Sequence, residues 1–170
     1  PNISGGVLGS FDVRGGDILI TGTGVNASAQ QMLDLVARKI SFEGQVNAQN
    51  LNVLAGANNW NRGAGTSSGI ASDGSAAPSY AIDASALGSM YAGRISLKAT
   101  EAGVGVRMQN QAAASAGDFI ITSAGKIEVT GKLSAARDMD LTSASAGADA
   151  IKATDANLSA ARNLALNASL

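Results

Sequence analysis

The sequence predicts an all-β chain wound into a right-handed parallel β-helix, a solenoid whose coils take roughly 20–25 residues each. Three observations carry this. Phrases recur at near-constant offsets: LSAARD at 133–138 returns as LSAARN at 158–163, VNAS at 25–28 as VNAQ at 46–49, and ITSA at 121–124 as LTSA at 141–144. Apolar residues inside the short runs stand two apart, which is the strand period. Examples are Ile18 and Ile20, Ile95 and Leu97, Met139 and Leu141, and Leu164 and Leu166. Finally, a period of about 20 residues is too short for a strand–helix–strand unit, which needs ~30. It suits one coil whose strands pair with their equivalents a coil later.

The elements follow in order. DILITG at 17–22 leads a series continued by MLDLVA at 32–37, NLNVLA at 50–55, RISLKA at 94–99, DFIITS at 118–123, DMDLTS at 138–143 and NLALNA at 163–168. A second series lies between them: ISFEGQVNA at 40–48, IEVTGKLSA at 127–135 and IKATDANLSA at 151–160. Each member has an apolar start, a Gly or polar corner, and a second apolar residue. One coil therefore holds two or three short strands. Gly, Asn and Asp take the corners because they tolerate positive φ. Inward Ile, Leu, Val and Ala stack as ladders. Right-handed winding is the default for parallel crossovers. Seven or eight coils at the interstrand spacing give a rod on the order of 35 Å long.

Two stretches break the pattern. SAQQMLDLVARKI at 28–40 carries a competing helix signal, with Ser28 as an N-cap, Gln31 three residues on, and Met32, Val36 and Ile40 on one helical face. Its spacing from NLNVLA argues for a strand, with at most a helical turn near 28–32. The stretch AGANNWNRGAGTSSGIASDGSAAPSY at 55–80 is rich in Gly, Ser and Asn and has no periodicity. It reads as a loop extruded near 57–79 on one face of the solenoid.

Composition narrows the function. The chain has 170 residues, enough for one domain or a slice of a longer protein, and it opens PNISGG without a signal-peptide pattern. An excised fragment is expected. No apolar run approaches bilayer length. The formal charge of −1 gives no basic face for nucleic acid and no polybasic patch for membranes. Cysteine and histidine are both absent. That removes thiolate chemistry, the commonest general base and the commonest metal ligand. The chain reads as a non-enzyme without cofactor or metal.

GGDILITGTGVNAS (15–28), LDLVARKISFEGQVNAQNLNVLAGAN (33–58) and YAIDASALGSMYAGRISLKATEAGVGVR (80–107) closely resemble the filamentous haemagglutinin and contact-dependent growth-inhibition exoproteins. These are secreted to the cell surface of Gram-negative bacteria by the two-partner route. SALG-x-MYAG-x-I and TE-x-GVGV are the most specific phrases. The resemblance implies a right-handed parallel β-helix and a TpsB-type transporter in the outer membrane as partner. The family's NPNL and NPNG-type motifs do not occur here. The expected division is therefore the carboxy-terminal part of the secretion domain over 1–107, continuous with haemagglutinin-type repeats over 108–170. The expected role is a structural shaft that supports secretion, adhesion or presentation of distal parts.

Each candidate site has a structural reading beside the functional one. RGGD at 14–17 is one Gly away from an integrin-binding tripeptide, and also a plain corner before a strand. GTGVNA (22–27) and GVGVR (103–107) begin a phosphate loop without completing it, and read as strand corners. Asp118 and Asp138 stand one period apart like a catalytic dyad of β-helical polysaccharide-degrading enzymes. Arg94 and Asn163 hold the equivalent places on the flanking coils, so an exposed corner ladder explains all four. In LSAAR, Leu133 and Leu158 should point inward while Arg137 and Arg162 face water near acids of neighbouring coils. The best binding candidate is NNWNR: Asn58, Asn59, Trp60, Asn61 and Arg62. Here the only tryptophan either stacks on a sugar ring or on a host-cell or bacterial receptor surface, or folds back over the solenoid flank. A cut solenoid also exposes open strand ends, so end-to-end self-association of the fragment is expected.

Overall fold

The computed structural model describes residues 1–4, 7–84 and 87–169. Among them every regular element is a strand. The chain opens with β1 (Asn2–Ser4) and β2 (Val7–Val13), then enters a three-sided parallel solenoid. Coil 1 is β3 (Asp17–Ile20), β4 (Val25–Ala27) and β5 (Leu33–Ala37). Coil 2 is β6 (Lys39–Phe42) and the long β7 (Val46–Ala55), which supplies both remaining sides. The chain then leaves the winding to make β8 (Asn58–Asn61) and β9 (Thr66–Gly69). Coil 3 is β10 (Tyr80–Ala84) and β11 (Met90–Ala99). Coil 4 is β12 (Gly105–Met108), β13 (Ala112–Ala114) and β14 (Phe119–Ser123). Coil 5 is β15 (Ile127–Val129), β16 (Lys132–Ala135) and β17 (Met139–Ser143). Coil 6 is β18 (Ile151–Ala153), β19 (Asn157–Ala160) and β20 (Leu164–Ala168).

The repeated phrases are paired registers. Leu133, Ser134 and Ala135 face Leu158, Ser159 and Ala160. Val25, Asn26 and Ala27 face Val46, Asn47 and Ala48. Ile121, Thr122 and Ser123 face Leu141, Thr142 and Ser143. On the first side the inward column reads Ile18, Ile40, Ile82, Val106, Ile127, Ile151. On the third side it reads Leu35, Val53, Leu97, Ile121, Leu141, Leu166. The middle members of both columns are fully buried. Each is worth about 1.5–3 kcal/mol relative to an exposed side chain. In the last coil, which has no successor in the structure, Leu164 and Leu166 are half exposed.

Three expectations need correction. The first side has one strand per coil and contains six strands, so there are six coils and not seven or eight. The span from first to last is about 24 Å. The overcount arose because 1–16 and 56–79 lie outside the winding. The helical turn near 28–32 does not form. Gln30 N–H donates to Ala27 O at 3.1 Å, a tight turn that delivers the chain into strand β5. The extruded segment is present but is not a plain loop. Strand β8 pairs antiparallel with β9 on one edge and with β2 on the other, giving the four-stranded sheet β1-β2-β8-β9. Of the SALG phrase at 85–88, Ser85 and Ala86 lie outside the described residues.

Corners set how closely coils approach. A Cβ on Gly131 would lie 2.0 Å from Asn110 O on the coil before, so only glycine fits. Gly24 adds a φ of 79° to a similar approach against Gln45.

Candidate functional site

Outward positions alternate with the inward ladders. On the third side of coils 1–3 the outward residues are Asp34 and Val36, then Asn52 and Leu54, then Ser96 and Lys98. Val36 and Leu54 are apolar where solvent would be expected. Leu54 is nonetheless buried, because the β8–β9 hairpin reaches over this flank. Lys98 Nζ donates to Ser67 Oγ at 3.1 Å, tying strand β9 to the shaft. Hairpin and flank enclose a cleft of about 400 Å³ that includes Trp60, Arg62, Met32, Asp34, Arg94 and Lys98.

The five expected residues divide by role. Asn58 is fully buried; its amide donates to Gly56 O at 3.0 Å and to Thr100 Oγ1 at 2.7 Å, anchoring the hairpin root to coil 3. Asn59 donates to Asp12 Oδ1 at 2.8 Å, fastening β8 to β2. That bond, and the Arg14 guanidinium 3.0 Å from Asp12, hold the Asp12 carboxyl below its ordinary range. Asn61 Oδ1 accepts from Ala64 N–H at 3.0 Å and shapes the hairpin turn. Trp60 and Arg62 line the cleft. Trp60 is half-buried there, beside Val36 and Leu54. Arg94 and Lys98 were not singled out as cleft residues by sequence reasoning. Their only signal is their outward place on strand β11.

Arg38 was also missed. It is 4% exposed. Its Nε and Nη2 donate to the Glu101 carboxylate at 3.0 and 2.7 Å, and its Nη1 to the carbonyl and hydroxyl of Ser75 at 3.0 and 2.5 Å. Asp73 stands 3.4 Å away. One guanidinium thus joins the end of coil 1, the turn after coil 3 and the returning strap at 73–75. The Glu101 hydrogen bond raises the Arg38 pKa against the opposing effect of burial. The Ser75 hydroxyl and amide lower that of Asp73.

The remaining candidates are structural. Gly16 has φ 87° and Asp17 begins strand β3, while Arg14 donates to Ala71 O at 3.1 Å and pairs with Asp12. Gly22, Gly24 and Gly103 are corner residues at positive φ. Asp118 accepts from the Asp138 amide at 3.2 Å, and Asp138 accepts from the Asn163 side chain at 2.9 Å. Arg137 and Arg162 stand 3.9 and 3.6 Å from Asp118 and Asp138. This is the corner ladder, with each acid occupied by the coil that follows. On the outer face of the first side, paired positions read Asp83, Arg107, Glu128, Lys152. Arg107 makes two bonds to Asp83 at 2.9 and 2.6 Å and lies 4.6 Å over the Tyr80 ring. The Tyr80 hydroxyl donates to Glu128, which also pairs with Lys126.

Comparison with known proteins agrees with this geometry. The model of the TPS secretion domain matches residues 1–129. Toxin CdiA of Yersinia pestis is 36% identical over 137 residues, covering 81% of this chain and 4% of its own length. The tRNA nuclease CdiA-2 of Burkholderia pseudomallei is 39% identical over 131 residues, 77% of this chain and 4% of its own. The crystal structure of the filamentous hemagglutinin secretion domain superposes with a TM-score of 0.80 at 30% identity, covering 97% of this chain and 57% of that one. This chain therefore spans about 4% of the length of the CdiA proteins it matches.

Proposed function

This chain belongs to the TPS secretion domain family, and on that premise we propose that it is the segment by which a large exoprotein is led out of the cell and from which its shaft begins. The protein is a secreted, surface-exposed β-solenoid of the two-partner type. Its partner in export is a TpsB-type transporter of the outer membrane. On this reading residues 1–107 are the carboxy-terminal part of the secretion domain and 108–170 haemagglutinin-type repeats that continue it, the family match itself running on to residue 129. Strand β12 (Gly105–Met108) straddles that division without a break in pairing. The observation that supports the reading is this continuity. The same inward columns run through all six coils, as a load-carrying rod requires. Distal parts of the exoprotein are then held away from the cell for adhesion or delivery.

The test replaces this segment, within the full-length exoprotein, by an unrelated β-solenoid of the same number of coils. With the cognate transporter present, the exchanged protein should stay in the periplasm. Undiminished appearance in the medium would sink the proposal.

A second reading, a glycan- or receptor-binding module, draws on the cleft around Trp60. Under it, Trp60→Ala abolishes binding of glycans or host cells without lowering the melting temperature. Loss of both together assigns the ring to packing.

A further inference from the structure

We propose that the cleft between the third side and the β8–β9 hairpin binds an acidic saccharide, whose carboxylate or sulfate is held by Arg62, Arg94 and Lys98 while a sugar face lies against the Trp60 ring. This deepens the glycan-binding reading and rests on it.

Charge selects the ligand class. The chain as a whole carries −1, yet the charged residues of this cleft are Arg62, Arg94, Lys98 and a single acid, Asp34. That acid is engaged by Asn52, whose amide donates to it at 2.9 Å. The cations are not neutralised elsewhere. Arg14, Arg38, Arg107, Lys126, Arg137 and Arg162 each have a carboxylate within 4.0 Å, whereas among the described residues Arg62, Arg94 and Lys98, like Lys39, Lys132 and Lys152, have none, and it is the first three that share this cleft. Three unpaired cations gathered around one opening form an anion site, and an arginine fork matches a carboxylate or sulfate in two bonds.

The rest of the lining selects a sugar over a bare anion. Ser96 offers a hydroxyl, Ser67 and Asn52 keep hydrogen-bonding capacity beyond their bonds to Lys98 and Asp34, and Trp60 and Met32 offer apolar surface. A pyranose presents the same combination, with hydroxyls around its rim and C–H groups on its face. The cleft volume of about 400 Å³ falls within the ~300–1,000 Å³ typical of small-molecule sites. The register explains why the site is here. The outward column changes from Val36 and Leu54 to Lys98 at coil 3, so apolar floor and cationic rim meet under the hairpin.

Trp60 is the only tryptophan, so its fluorescence reports the site directly in the 170-residue chain. The probes are a galacturonate hexamer, a heparin-derived hexasaccharide, a neutral maltohexaose and an oligoglutamate peptide. A saturable change is expected with at least one acidic sugar, and the one that binds more tightly distinguishes carboxylate from sulfate. Binding should weaken as salt rises. Maltohexaose and oligoglutamate should bind at least about tenfold more weakly. Arg62→Gln and Arg94→Gln, both at exposed positions, should each weaken the acidic sugar by about tenfold with an unchanged melting temperature. Equal binding of maltohexaose, or full affinity in both variants, overturns the acidic class while the glycan reading stands. Equal binding of oligoglutamate assigns the cleft to acidic peptides and overturns the inference. No response to any probe removes both the inference and the reading beneath it.

Discussion

Replacing Arg38 by methionine removes a guanidinium that joins three separate parts of the chain while keeping most of its buried length. The two bonds to Glu101 at 3.0 and 2.7 Å are charge-assisted and bidentate. Breaking one partner of a buried pair costs about 3–5 kcal/mol. The Glu101 side chain is 20% exposed and regains some water when abandoned, so the lower end applies, about 3 kcal/mol. Asp73, at 3.4 Å and half exposed, adds little. For a chain of this size each kcal/mol moves the melting temperature by ~2–4 °C, so Arg38→Met should lower it by about 6–12 °C. Hydrogen exchange should rise first in the strap around Asp73 and Ser75. The paired variant Arg38→Met with Glu101→Leu removes both members of the buried pair, leaving only the half-exposed Asp73 without its cation, and should recover more than half of the loss. Calorimetry of the four proteins closes the cycle. A single variant that melts with the parent, or a double variant that merely sums the singles, refutes the assignment of Arg38 as the fastening point.

Three further outcomes are expected. Gly131→Ala forces a Cβ against Asn110 O and should cost about 1–3 kcal/mol in denaturant unfolding. Gly147→Ala, whose nearest neighbour would be Ser145 Oγ at 3.5 Å, should stay within ~0.5 kcal/mol; equal effects would remove the argument for close coil approach. The Glu128 carboxyl is held below its ordinary value of 4.5, first by Lys126 and then by the Tyr80 hydroxyl. Its stabilisation is thus fully present above that value and lost as pH falls through the lower folded-state pKa. Glu128→Gln should flatten the dependence of melting temperature on pH in that acid range, and an unchanged slope would contradict this. When the 170-residue chain is produced by itself, Leu164 and Leu166 stay half exposed on the final coil, so sedimentation of that piece should show concentration-dependent association. A clean monomer at high concentration would count against it.

The winding was readable because a solenoid writes its register into its sequence. LSAAR, VNA and TSA recur where they do because Leu133 must stack on Leu158, and Val25 on Val46. The four-stranded sheet outside the winding was not readable. NNWN and TSSG lack apolar alternation, since their strands are held by backbone pairing and by amides such as Asn59 on Asp12. Arg38 left one faint sign, the first of two cations, Arg38 and Lys39, interrupting the otherwise apolar run LVARKI. Its partners stand 35, 37 and 63 residues away, beyond any local pattern. At the cleft, Trp60 and Arg62 could be picked from composition. Arg94 and Lys98 could not, because they sit on a shaft strand and acquire meaning only when the hairpin arrives above them.

The pairing of β2 with β8 sets a clock. Val13 faces Asn58 and Ser10 faces Asn61, so coils 1 and 2 lie in sequence between the two strands. Whatever the order in which the coils wind, β2 cannot be zipped to β8 before the chain beyond coil 2 is at hand. Arg38 waits longer still, for Ser75 and then Glu101. In a chain threaded through a pore from its amino end, strand β2 is therefore closed against β8 only after much later residues have followed it. Early rungs assemble with their flank unsealed, and arrival of the hairpin and strap shuts it behind them.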